Sequence, residues 1–286
     1  MLVWQKTAAG SIREENQDTV IVREDEGVLL LLDGRGSGGR ELSQAIAPDL
    51  ERSLVRLPHY GRSHEASERL REIFKSAERV LQERQVTQPG LASSGVDVSA
   101  AVLVEGQLLL ASTGTCGILA KIGKQLHGIE PQGLPALSDI TKTEGFERSA
   151  EGFERSMEHC PLGEPVIHGP IPVTVGDWVM LFSEGLLVSQ PIEEVGRVSD
   201  YISEEPDDSV EALFIRASNR YDGDDRSMIL ARFLPRDLQR RFPPDTVIST
   251  DLDRKFTLPL WQPLALAAGV LAAVGSLLLV VWRRLR

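Results

Sequence analysis

The stretch LLLLDGRGSGG, residues 29 to 39, drives four leucines into an aspartate and then stops in a cluster of glycines. An apolar run of this length bounded by a glycine-rich turn reads as a fully buried strand, with Asp33 at its mouth. Just upstream, DTVIVRED (18–25) has the β-branched alternation of a second strand, and the acidic turn at Glu24 to Gly27 joins the two. Two helices are expected to follow. Leu42, Ile46, Leu50 and Leu54 recur at fours over about 39–57, and Leu70, Ile73, Phe74 and Leu81 share one side over about 65–85.

Beyond the turn TQPG the pattern returns to strands. VSAAVLVEGQLLLAST (98–113) reads as a hairpin about Glu105-Gly106, and GILAKIGKQLHGI (117–129) as another about Gly123. PIPVTVGDWVMLFSEGLL gives two strands turning at Gly176-Asp177, a helix is expected over about 208–218, and DDRSMILARF supplies a last strand. Between them EGFERSA (144–150) is followed at once by EGFERSM (151–157), a tandem copy read as a duplication within a tolerant surface insertion.

With 31 Lys+Arg against 42 Asp+Glu the chain carries a net charge of −11, which argues against nucleic acid as a partner and suits cation binding. Cys116 and Cys160 have no metal-ligand spacing, and MLVWQKTAAG lacks the layout of a secretory signal, so reduced thiols inside the cell are expected. The chain divides into a folded domain at 1–234, a proline-containing linker at 235–260 and a membrane segment with a basic tail at 261–286. From Leu264 to Trp282 no residue is charged, and at about 1.5 Å per residue this run approaches the thickness of a bilayer core. Trp261 and Trp282 flank it as interfacial residues do. The closing RRLR by itself favours a cytoplasmic tail, but a folded domain without a signal is expected to stay in the cytoplasm, and so short a tail can cross. A single-pass C-terminal anchor with the domain cytoplasmic is therefore expected.

Three of these strands carry an acid at one end: Asp33 and Glu184 after theirs, and Asp224 or Asp225 before the last. Acids at strand ends are common turn residues. Gathered in one place, however, they repel one another unless a cation holds them, and oxygen ligands select a hard divalent ion.

The order of the segments adds a resemblance. SIREENQD supplies the R-x-x-N-x-D opening, at Arg13, Asn16 and Asp18, of the metal-dependent, type-2C family of protein serine/threonine phosphatases. LLLLDGRGSGG, GQLLLASTGTCGILAKIGKQL, EHCPLGE, GDWVMLFSEGLL and GDDRSMILARF resemble that family's later segments, in its order, over residues 10 to 233. The resemblance implies an α+β fold in which two antiparallel sheets pack as a sandwich flanked by helices, αββα, with two Mg²⁺ or Mn²⁺ ions at one end. It implies Asp33 as the bridging ligand, the Gly34 carbonyl as a ligand to one ion, Glu184 and Asp224 as ligands to the other, Asp18 as the anchor of the attacking water, and Arg13 as the phosphate grip. Substrates would be phosphorylated proteins of a serine/threonine kinase pathway.

Several positions depart from the family pattern. Glu184 stands for an aspartate, Arg35 brings a positive charge into the glycine run, and Thr115 in GTCG lacks a carboxylate. SSGVDVSA lacks the paired threonines, and Asp225 stands for an asparagine. A catalytically weak or inactive sensor or scaffold domain that binds a metal or a phosphoprotein is the alternative reading.

Overall fold

A computed structural model describes residues 1–57, 63–104, 106–129, 162–188, 206–220 and 223–234. The strands are β1 (Leu2–Ala8), β2 (Thr19–Arg23), β3 (Val28–Arg35), β4 (Gly95–Val104), β5 (Gln107–Ser112), β6 (Gly117–Ile122), β7 (Gln125–Ile129), β8 (Val166–Pro172), β9 (Trp178–Phe182) and β10 (Arg226–Arg232). The helices are α1 (Gly39–Arg56), α2 (Ser63–Thr87), α3 (Glu184–Val188) and α4 (Pro206–Arg220). They build two five-stranded antiparallel sheets, β1-β10-β9-β6-β7 and β2-β3-β4-β5-β8.

Alternation along the strands sets the layers, because successive side chains point to opposite faces. Leu29, Leu31, Ala101 and Leu110 meet Ile118, Val179, Leu181 and Ile229 of the other sheet, forming the core of the sandwich. Their neighbours Leu30, Leu32, Val98 and Ala100 pack under α1 and α2 through Leu42, Leu50, Leu70 and Phe74. Met180, Phe182 and Leu230 pack under Leu186 of α3 and Leu213 of α4. The expected αββα sandwich is therefore present, and the four leucines are fully buried because both faces of β3 are covered. Each contributes about 2 kcal/mol through the apolar surface removed from water.

Three details differ from expectation. The first residues form β1, which pairs with β10 from Leu2–Arg232 to Ala8–Arg226; LVWQKTA mixes polar and apolar residues, and every position is half-buried. The segments around Gly176-Asp177 are strands, but β8 pairs with β5 and β9 with β6 and β10, so the chain crosses between sheets there. Asp177 makes that crossing by accepting from the Thr174 and Gly123 N–H groups, at 2.7 Å each. Finally, Glu184 follows β9 as expected but opens a short helix that was not expected.

Among the described residues no helix is long and apolar enough to cross a membrane. The expected linker and membrane segment, the tandem copy and Cys160 lie outside the described residues.

Candidate active site

The same alternation that buries Leu29 and Leu31 carries Asp33 and Arg35 onto the inner face at one end of the sandwich. Asp33 is opposite Asp97 in the ladder between β3 and β4. Between β2 and β3 the last pair is Thr19 with Leu32, so Asp18 stands one step further along, on the row of Asp33. Three carboxylates from adjacent strands thus line one end of a sheet, where like charges side by side are destabilising. The facing sheet brings Ser183 and Glu184 from the end of β9 and Asp224 and Asp225 from the start of β10. Ser183 and Ser227 clamp these two strands, with Ser183 N–H donating to the Ser227 carbonyl at 3.0 Å and Ser227 N–H to Ser183 Oγ at 2.9 Å.

The R-x-x-N-x-D spacing has a physical reason. Asn16 donates from Nδ2 to Thr7 Oγ1 on β1 at 2.7 Å, and its Oδ1 accepts the Asp18 N–H at 2.9 Å. That fixes the backbone from which Asp18 enters the sandwich, while Arg13, five residues earlier, reaches across. Its Nη2 donates to Asp224 Oδ1 at 2.9 Å and its Nη1 to Gln17 Oε1 at 3.1 Å. Arg13 therefore pairs with an acid of the site rather than with Glu14 or Glu15. Asp225 is neither solvated nor turned to the cluster. Its two oxygens accept the N–H groups of Gly10 and Gln17, both at 2.8 Å, and latch the 10–17 loop onto β10.

Glycines let these segments meet. A Cβ on Gly185 would lie 1.9 Å from the Asp225 carbonyl oxygen, so the start of α3 rests directly on the start of β10. A Cβ on Gly34 would lie 2.6 Å from the carbonyl carbon of Gly39, so the end of β3 touches the start of α1. Gly34 is thus required by packing, whatever its carbonyl binds.

Burial makes these acids hard to ionise. Asp33 is pushed well above the carboxylate range, first by burial and then by the charges of Asp18, Asp224, Asp97 and Glu184. Burial also carries Asp18 up to about 7; Ser227 and Ser183 offset this in part, although neither hydroxyl makes a well-aligned bond to it. Glu184 is raised by burial against the Thr115 hydroxyl and, further down, Arg35. Both carboxylate oxygens of Asp18 and Oε1 of Glu184 are buried without a hydrogen-bond donor. Such orphaned acceptors beside Asp33, all of them oxygen, fit a hard divalent cation. Among the described residues no three acidic, histidine or cysteine side chains already stand together as a metal cage. Asp224 is turned to Arg13 and Asp97 to Arg35 instead.

All six expected residues, Arg13, Asp18, Asp33, Gly34, Glu184 and Asp224, lie at this end of the sandwich. Asp97 belongs with them and was not singled out from the sequence. Its signal was there, since an aspartate within the apolar strand VDVSAAVLV needs a reason to be buried. Its partners Arg35 and Thr115 read only as departures.

The fold has solved structural neighbours among PPM-type serine/threonine phosphatases. The serine/threonine phosphatase PstP/Ppp of Mycobacterium tuberculosis superposes with a TM-score of 0.63 at 19% identity, over 82% of this chain and 99% of its own. The PPM Ser-Thr phosphatase MsPP of Mycobacterium smegmatis, solved with cacodylate, gives 0.60 at 19% identity over 82% and 99%. The PstP catalytic domain with two manganese ions gives 0.60 at 17% identity over 82% and 98%. No protein-family model and no curated protein matches the sequence. At these identities the likeness is one of fold.

Proposed function

We propose that this chain is a metal-dependent protein phosphatase acting on phosphoserine and phosphothreonine, held at a membrane by its C-terminal segment. The observation that carries this reading is the set of donor-less buried carboxylate oxygens on Asp18 and Glu184 beside Asp33, in a fold whose solved neighbours are serine/threonine phosphatases. When bound, two Mg²⁺ or Mn²⁺ ions supply Lewis-acid charge and an acidified water. Asp33, the Gly34 carbonyl, Glu184 and Asp224 would hold them. Asp18, whose two carboxylate oxygens are buried without a donor, would anchor the attacking water. Arg13 pairs with the phosphoryl oxygens, for which its guanidinium must exchange Asp224 for substrate.

The substrates on this reading are phosphoproteins of a serine/threonine kinase pathway, and the domain faces the cytoplasm. The uncharged run Leu264 to Trp282 supports the anchor. The full-length chain is expected in the membrane fraction, resistant to high salt and released by detergent; recovery in the soluble fraction without detergent would remove this part of the proposal.

One arrangement favours the second reading, a phosphatase-like scaffold: Arg13 and Asp224 already neutralise one another, and Glu184 replaces a shorter acid. Hydrolysis of a phosphothreonine peptide by the full-length chain separates the two. Turnover that requires Mn²⁺ or Mg²⁺ and is lost in Asp33→Asn supports the enzyme. Absence of turnover with either ion, in a chain that melts cooperatively, supports the scaffold.

A further inference from the structure

Asp97 is the most buried acid of the site, at 0% exposure. One of its oxygens is locked: Oδ2 accepts the Thr115 N–H at 2.9 Å and the Thr115 hydroxyl at 2.7 Å. Gly114 packs so closely against the carboxylate that a Cβ there would lie 2.0 Å from Oδ1, so the group is held on that side too. The other oxygen is held differently. Arg35 Nη2 stands 2.9 Å from Oδ1, yet Oδ1 receives no well-aligned N–H, which makes the pair a contact of charge. Arg35 makes a further interaction besides this one, but its side chain is 26% exposed, and its long flexible stem lets the head swing toward water. A rigid acid with a displaceable cation therefore sits directly across the ladder from Asp33.

We propose that Asp97 is a ligand for one of two divalent cations at this site and that Arg35 is its tethered competitor, covering Oδ1 until a cation displaces it. This inference rests on the divalent-metal reading above. Asp18, Asp33 and Asp97 form a row of acids that the single charge of Arg35 only partly balances, and a divalent ion balances it better. Arg35 must leave before that ion binds, so one cation binds tightly and the other weakly.

Calorimetric titration of the full-length chain with Mn²⁺ tests this. Wild type is expected to show one tight and one weak ion. Arg35→Met removes the competing charge and is expected to tighten the weak ion by at least about tenfold, the scale of removing a unit charge at close range. Arg35→Lys keeps the charge and the wild-type affinities. Asp97→Asn is expected to abolish the weak ion and leave the tight one. Should Arg35→Met not fold without metal, Arg35→Gln replaces it, being polar but uncharged. Opposite shifts from the arginine and aspartate variants exclude general damage to the fold. Unchanged weak-ion binding in both, or shifts of the same sign, overturns the inference while leaving the metal site intact. If wild type itself binds no Mn²⁺ at millimolar concentration, the metal reading falls and this inference with it.

Discussion

Asp224 and Asp225 are neighbours in the chain with separate duties. Asp224 Oδ1 accepts Arg13 Nη2 at 2.9 Å, while both oxygens of Asp225 accept backbone N–H groups of the 10–17 loop. One residue pairs with Arg13 and the other builds the wall from which Arg13 and Asp18 project. Substituting each in turn is expected to separate stability from activity.

For the Arg13–Asp224 pair, the proposed function puts the loss on rate. Arg13 and Asp224 are both partly exposed, with side chains 31% and 25% accessible, so water screens their attraction. Arg13→Ala is expected to leave the melting temperature nearly unchanged and to lower kcat/KM for a phosphopeptide by about a hundredfold or more, the scale of losing one donor to developing charge. Steady-state kinetics beside a thermal melt checks both.

For Asp225 the loss falls on the fold. It is 2% exposed, and Asp225→Ala leaves the Gly10 and Gln17 N–H groups without their acceptor, at a cost of about 2–4 kcal/mol. Urea unfolding at unchanged m-value is expected to show that loss. Asp225→Asn is expected to recover part of it, because an amide offers a single acceptor oxygen where the carboxylate offers two.

These duties also mark how far the sequence could be read. Leu29 to Asp33, the helical repeats and the hairpins fix most of the sandwich, because periodicity is local and buried strands are apolar on both faces. The start of the chain was opaque, since half-buried LVWQKTA does not alternate cleanly. The β8–β9 segment shows its turn in Gly176-Asp177 but not its crossing, which depends on strands far away in the chain. At the site, Asp18, Asp33, Glu184 and Asp224 were legible from acids at strand ends and from the order of motifs. Asp97 was not, because Arg35 and Thr115 acquire meaning only when folding places them around it. Asp225 looked like a substituted ligand, and only its two backbone donors reveal a latch.

The stability of the metal-free protein is expected to fall as pH rises. Asp18, Asp33, Asp97, Glu184 and Asp225 are all raised, with burial the first cause in each. Each holds its proton more tightly folded than unfolded, so its contribution is fully present below its unfolded value of about 4. It is lost as pH rises, for Asp18 through about 7. In EDTA the melting temperature is therefore expected to drop between about pH 5 and 8, with a shallower slope in Asp18→Asn. Adding Mn²⁺ is expected to flatten or reverse the slope, since a cation binds the ionised carboxylates.

Glu184 offers the sharpest test of whether the site is detuned. Its N–H donates to Asp33 Oδ2 at 3.3 Å and Gly185 is pressed against the Asp225 carbonyl, so the backbone here cannot shift to absorb a longer side chain. The extra methylene of glutamate must therefore be taken up by the carboxylate, whose Oε1 is buried with no donor. Glu184→Asp keeps the charge and shortens the reach without touching those backbone contacts. If side-chain length limits the enzyme, the variant is expected to raise kcat by about tenfold or more, the scale of restoring a misplaced reacting group, and to tighten Mn²⁺ in calorimetry. A fall in both quantities would mean instead that the longer arm is matched to this sandwich.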